Sequence, residues 1–263
     1  KVTSSRPMAL GRAVLARMKV DNVSLLASAI AFWGMLALVP ALVALVSLYG
    51  LVADPAEVER QVRESTQALP AEAQQLIVAQ LRAVVDAPAA GLGTGLVIGL
   101  AVALWAASAG MRTLITSIGV VYGDRAGDQG FVTERGKALG LTLGGIAFVG
   151  GAVLLVAVIP SDHLLWVIQW ALLAGGLVVG IGALYRLGPA RHPEPRLLSP
   201  GAVVAAVLVV AVTLAFSLYT SNFGSYNETY GSLAAVVILL LWLQLSAMTV
   251  LIGATLNRVL AEG

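Results

Sequence analysis

Arg112 is the residue in this chain whose chemistry is hardest to ignore, because it sits inside the apolar run LGTGLVIGLAVALWAASAGMRTLI, residues 92–115. A charge within such a run costs up to ~3 kcal/mol at the bilayer centre unless it pairs, reaches water or meets an anion. Two readings stay open: snorkelling to the interface, or contact with an anionic head group, since arginine's planar fork suits phosphate. Asp21, at the start of the first apolar run, is a possible neutralising partner. Trp105 and Ser108, seven and four residues before Arg112, join Asp21 and Pro40 as candidate structural or gating positions. Gln244 is a large amide in the middle of another apolar run and must face protein or a cavity. The stretch FGSYNETYGSLAA, residues 223–235, contributes Tyr226, Asn227 and Tyr230, with Asn222 just before it. Tyrosines there are expected as interface anchors and the glycines as a tight reversal. The clustering of Tyr226, Asn227 and Tyr230 at near-helical spacing also suits an outer gate. Arg112, Gln244, Asn222, Tyr226, Asn227 and Tyr230 form the candidate substrate-binding set.

Other chemistries find little support. Cysteine is absent, which removes disulfides, thiolate metal sites and cysteine nucleophiles. The two histidines, His163 and His192, fall on connections at opposite faces of the membrane. No HxxE, HExxH, clustered-carboxylate or phosphate-loop pattern appears, so no catalytic residue, metal or cofactor is expected. The basic residues near the membrane are explained by topology and make no nucleic-acid patch.

These residues must be positioned by membrane helices. Of 263 residues, 59% are hydrophobic and 11% charged, with mean hydropathy +0.90; a soluble domain carries about 25% charged residues. Six apolar runs are long enough to span a ~30 Å hydrocarbon core. They are Leu25–Val52, Leu92–Ile115, Ala138–Ile159, Leu164–Tyr185, Pro200–Tyr219 and Ser232–Leu256. The fold class is therefore all-α, a polytopic membrane protein with six transmembrane helices. No signal-peptide pattern opens the chain. Twelve of the 16 Lys and Arg residues fall on one side, and only Arg60, Arg63 and Arg82 on the other. The positive-inside rule then puts both termini in the cytoplasm.

Two segments lie outside the spans. Residues 1–22 form a cytoplasmic N-terminal segment in which Leu10, Val14 and Met18 alternate with Arg12, Arg17 and Lys19. That pattern fits either a basic amphipathic helix on the anionic leaflet or an extension of the first spanning helix. Within the membrane domain, 23–263, residues 54–90 read as an extracytoplasmic helical hairpin insertion, opened by the capping pattern Asp54-Pro55-Ala56-Glu57. Pro40 in the first span kinks its helix, for a cavity or for packing. The glycines of the third and fourth spans (Gly144, Gly145, Gly150, Gly151, Gly175, Gly176, Gly180, Gly182) suit either tight helix packing, the favoured reading, or helix movement.

Several stretches carry a family resemblance: LASAIAFWGMLALVPAL after Asp21, LWAASAGMRTLITSIGVVYGDR, ALYRLGPAR, and the long segment from Ser199 to Asn257 that contains FGSYNETYGS and ends in GATLN. The chain resembles the YihY/BrkB family of bacterial inner-membrane proteins, historically mislabelled ribonuclease BN. The resemblance implies six spans with both termini inside, and association with envelope integrity and the movement of lipid precursors. Three positions depart from the pattern: Trp33 for a usual tyrosine, Gly119 for a common asparagine, and Thr255 for an acid. The functional expectation is a transporter or flippase-like protein for an amphipathic anionic envelope lipid or precursor. The alternatives are a structural scaffold for the envelope and a solute or ion channel. Membrane lipids, a lipid-like substrate, further copies of the chain or envelope proteins are the expected partners.

Overall fold

The computed structural model describes residues 6–49, 74, 92–124, 130–158, 163–190, 197–221 and 232–262. Among them are seven long helices: α1 (Arg6–Val20), α2 (Val23–Tyr49), α3 (Leu92–Tyr122), α4 (Phe131–Val158), α5 (His163–Leu187), α6 (Pro200–Ser221) and α7 (Ser232–Glu262). The all-α expectation holds for these residues. The hairpin expected over 54–90 lies outside them, Gln74 and its single helical position excepted.

Four segments are long and apolar enough to cross a bilayer: Leu104–Tyr122, Val167–Leu187, Pro200–Tyr219 and Val236–Glu262. A fifth is reached if α1 and the first part of α2 count as one broken span, although they meet at 64°. In Val167–Leu187 only 17% of the window is buried, so most of that helix presents apolar side chains outward. Val167, Ile168, Trp170, Leu172, Leu143, Val207 and Leu214 are all exposed. In water such a surface would be a strong association liability; against lipid tails it carries no such penalty.

The helix ends follow local chemistry. Gly123, at φ +84°, closes α3 in the left-handed conformation that a side chain disfavours. Its N–H donates to the Val120 carbonyl at 3.0 Å and the Asp124 N–H to Gly119 at 2.8 Å, the paired bonds of a Schellman cap. Ser199 caps α6, its hydroxyl accepting from the Ala202 N–H at 3.2 Å, and Pro200 takes the first helical position. Asn22, at φ +50°, makes the elbow after α1, a conformation asparagine tolerates better than most residues.

The chain divides into two compact units. The first comprises Lys1–Ile30, Met111–Val210 and Leu245–Gly263. Its core gathers Val23, Ala27, Ile118, Val121, Tyr122, Ile181, Tyr185, Ala202, Ala205 and Leu251. With Ala206, Ala247 and Ala254 it contains six alanines, which let backbones approach closely, the usual way membrane helices gain contact where lipid tails are as apolar as leucine. The second unit comprises Ala31–Gly110 and Ala211–Gln244. In it Phe216 and Ile238 pack against Trp242, whose indole N–H donates to Thr213 Oγ1 at 3.3 Å.

The glycines of the third and fourth spans behave differently from expectation. Only two of the eight meet a neighbour: a side chain on Gly176 would strike the Phe148 ring at 2.6 Å, and one on Gly182 would strike the Leu197 backbone. Around Gly144, Gly145, Gly150, Gly151, Gly175 and Gly180 a methyl group would find open space among the described residues. Among the described residues, the close contacts of these eight glycines thus fall at two positions on α5.

Candidate functional site

The polar groups of the first unit converge where α3, α5, α6 and α7 meet. Asn257 on α7 is 1% exposed. Its Oδ1 accepts from the Gly201 N–H at 2.7 Å, while its Nδ2 donates to Ser199 Oγ at 2.9 Å and to the Tyr122 hydroxyl at 3.4 Å. One amide thus serves the start of α6 and the end of α3 together. The Gly201 N–H is one of the orphan donors that every helix start leaves, and here a buried side chain satisfies it. The Tyr185 hydroxyl on α5 donates to the Val250 carbonyl of α7, and its ring meets Tyr122 edge-on at 6.2 Å.

A second layer of charge surrounds this centre. Asp124 Oδ2 accepts from the Ala190 N–H at 2.7 Å, tying the cap of α3 to the turn after α5. Lys137 Nζ reaches the Gly188 and Pro189 carbonyls of that same turn, both at 3.4 Å. Arg258 donates from Nη1 to the Val121 carbonyl and from Nε to Glu262 Oε1 at 2.8 Å. A cation at the C-terminal end of α3 also suits the helix dipole. Its guanidinium lies over Gly123, where a side chain would meet Nη2 at 3.3 Å.

Gly119 has a specific role in this arrangement. A Cβ there would lie 2.7 Å from Asp124 Oδ2, so the bare backbone is what lets the carboxylate reach Ala190. Gly119→Asn is expected to displace that carboxylate and lower stability by about 1–2 kcal/mol, the scale of overpacking and a lost hydrogen bond. Thermal unfolding of the purified variant checks it. Removing the competing carboxylate as well, in Gly119→Asn/Asp124→Ala, should give less than the sum of the single losses. Thr255, fully buried on α7, donates to its own helix at the Leu251 carbonyl, 2.8 Å away.

Arg112 pairs with Glu134, not with Asp21. Its Nε donates to Glu134 Oε2 at 3.2 Å and its Nη2 lies 3.2 Å from the same oxygen. The guanidinium carbon sits 5.7 Å from the centre of the Phe131 ring, within cation–π range. Glu134 lies in the first turn of α4, where a negative charge is favoured by the helix dipole. The Arg112 side chain is 42% exposed and that of Glu134 26%. Asp21 instead accepts from Arg17 Nε at 3.1 Å, one turn earlier in the chain.

The other expected site residues are distributed more widely. Asn222, Tyr226, Asn227 and Tyr230 lie outside the described residues. In the second unit, Ser108 is buried and donates to the Trp105 carbonyl at 2.9 Å, while Trp105 itself is exposed. Gln244 is half-buried on α7, and Pro40 falls within α2. The described residues contain no group of three or more His, Asp or Glu side chains placed to hold a metal.

Comparison with known proteins bears on this geometry. The profile of the family described as Virulence factor BrkB matches residues 14–263. The chain belongs to that family. It is also 30% identical over 177 residues to a putative ribonuclease-like protein, YfkH, of Bacillus subtilis (strain 168), a match covering 62% of this chain and 64% of YfkH. A UPF0761 membrane protein of Xanthomonas campestris pv. campestris (strain B100) is 42% identical over 78 residues, 30% of this chain and 18% of that protein. A UPF0761 membrane protein of Xanthomonas oryzae pv. oryzae (strain PXO99A) is 41% identical over a stretch of the same length. The chain thus spans 64% of YfkH and under a fifth of the Xanthomonas proteins. No solved structure matches it.

As a BrkB-family membrane protein, this chain brings the quoted motifs together. VVYGDR supplies Tyr122, Gly123 and Asp124; ALYRLGPAR supplies Tyr185 and the turn at Gly188; SPG supplies Ser199 and Gly201; GATLN supplies Gly253 and Asn257. Sequence reasoning weighted Arg112 and missed Asn257, Asp124, Glu134 and Arg258. A signal was present: each of these motifs falls at the same end of its apolar run once alternate spans are reversed.

Proposed function

We propose that the protein is a transporter or flippase-like protein for an amphipathic, anionic envelope lipid or precursor. It would cross the bacterial inner membrane six times with both termini in the cytoplasm. The observation that carries this reading is the half-exposed Arg112 guanidinium within the apolar segment Leu104–Tyr122, beside the exposed ring of Phe131. An ion pair this exposed contributes about 0–1 kcal/mol. A phosphate offering two oxygens to the fork gains more than that, so it can displace Glu134 while the lipid tail stays beside Phe131. In this reading Gln244, Asn222, Tyr226, Asn227 and Tyr230 line the outer part of the route.

Full-length protein in vesicles with a head-group-labelled anionic lipid tests the idea. Wild type should accelerate translocation over protein-free vesicles, and Arg112→Ala should abolish the acceleration while remaining folded. Undiminished transport by that variant removes Arg112 from the mechanism. The close polar knot around Asn257 favours a second reading, a rigid envelope scaffold. That reading predicts no acceleration by wild type either.

Orientation has its own test, made simple by the absence of cysteine. Gly11→Cys introduces a thiol where a side chain meets nothing within 4 Å. In intact cells a membrane-impermeant maleimide should label Asn227→Cys and leave Gly11→Cys unlabelled until the cells are broken. The opposite pattern overturns the proposed topology.

A further inference from the structure

The elbow between α1 and α2 encloses a groove of about 620 Å³ within the first unit. We propose that this groove is a binding site for one anionic glycerophospholipid of the adjacent leaflet, separate from the Arg112 route. Its lining is divided by chemistry. Lys19, Asn22 and Ser24 supply an ammonium, an amide and a hydroxyl, whereas Leu15, Leu25 and Met248 supply an apolar wall. Among the described residues no carboxylate lines it. The nearest acid along the elbow, Asp21, is engaged by Arg17 at 3.1 Å, an ion pair that also holds the turn. Three donors with one positive charge complement a phosphodiester, which offers only acceptors.

The surroundings argue for a lipid and not a free phosphate. Val20 and Leu25, at the elbow itself, are 71% and 70% exposed. Apolar side chains exposed beside a cationic groove are what an acyl chain would cover, whereas a soluble anion would leave them bare. The 64° bend carries α1 off the line of α2, so α1 is not a simple extension of the spanning helix. With Met8, Leu15 and Val20 exposed beside Arg12 and Lys19, α1 has the composition of an interfacial helix. The volume lies within the range of small-molecule sites, large enough for a phosphoglycerol head and the first part of its chains.

The test uses the full chain in a neutral detergent, with native mass spectrometry counting retained lipid. The probes are phosphatidylglycerol and phosphatidylcholine of equal chain length, and glycerol 3-phosphate is the soluble competitor. Wild type should retain phosphatidylglycerol in preference to phosphatidylcholine. Lys19→Glu should lower that preference about fivefold or more, the scale of one basic residue at an anionic surface. Met248→Trp, which fills the groove and leaves Lys19 in place, should abolish retention. Ser24→Leu gives the same reading should Met248→Trp fail to fold. Arg12→Glu changes charge on the same helix but does not line the groove, and should behave as wild type. Three results overturn the proposal: retention unchanged in the groove variants, equal losses from Arg12→Glu and Lys19→Glu, or displacement by millimolar glycerol 3-phosphate. Because none of these readouts involves translocation, the site stands or falls independently of the transport reading.

Discussion

Replacing Gly253 with alanine should destabilise the protein by about 3 kcal/mol or more, although the change adds one methyl group and improves intrinsic helix propensity by about 1 kcal/mol. The reason is the crossing of α6 and α7. A Cβ on Gly253 would collide with the Gly201 carbonyl oxygen, and would lie 2.5 Å from the Tyr185 hydroxyl and 2.7 Å from Ala205 Cβ. The reciprocal Cβ on Gly201 would collide with the Gly253 carbonyl and lie 2.5 Å from Asn257 Oδ1. Backbone atoms cannot rotate aside as a side-chain tip can, so the helices must separate. Separation also breaks the Asn257 bond to the Gly201 N–H. In thermal unfolding the loss should appear as a fall of about 6–12 °C, at roughly 2–4 °C per kcal/mol for a chain of this size. Gly144→Ala is the matched control. Nothing lies within 4 Å of a Cβ there, so its midpoint should stay level or rise slightly. A similar midpoint for both variants would show that the α6–α7 crossing is looser than described.

The second large effect is expected at Asn257→Leu, a substitution that keeps the volume and removes the polarity. The Gly201 N–H then loses its acceptor inside a site where Asn257 is 1% and Ser199 1% exposed. Ser199 Oγ also loses a donor at 2.9 Å. A buried donor left unsatisfied costs about 1–3 kcal/mol, and two disturbed groups put the expected loss at about 2–4 kcal/mol. Ser199→Ala, by comparison, removes one cap and should cost about 1 kcal/mol. If the asparagine acts through Ser199, the double variant should lose less than the sum of the two single changes, a coupling that unfolding midpoints can measure. Strict additivity would mean that the two residues stabilise α6 separately.

Hydropathy made the helical, membrane-spanning character of the chain legible from its residues alone. The apolar runs begin within a residue of α3, α5, α6 and α7, because a helix in lipid must satisfy its own backbone, but α3 runs on past Ile115 to Tyr122 and α7 past Leu256 to Glu262. The helix over residues 6–20 was legible too, since Leu10, Val14 and Met18 recur at a helical spacing. The elbow after it was foreshadowed by Asp21-Asn22, but its 64° angle was not. Glycine content suggested tight packing or movement in the third and fourth spans, and among the described residues a close neighbour meets two of the eight positions. Composition reports what a helix could approach, not whether a neighbour is there.

For the site, the residue types were informative and their partners were not. Arg112 required a partner, water or the interface on energetic grounds alone. Choosing Glu134, 22 residues away, over Asp21 required seeing the first turn of α4 beside Arg112. Asn257 was visible only as the end of a family-like motif. Its partners lie 56, 58 and 135 residues distant, separations at which local spacing carries no information. A helical membrane protein was legible in the chain alone, because apolar length acts locally along it, and its motifs carried the resemblance to the BrkB family. Only the tertiary structure decided which polar side chains meet, because a buried hydrogen bond depends on the approach of helices that the chain order does not specify.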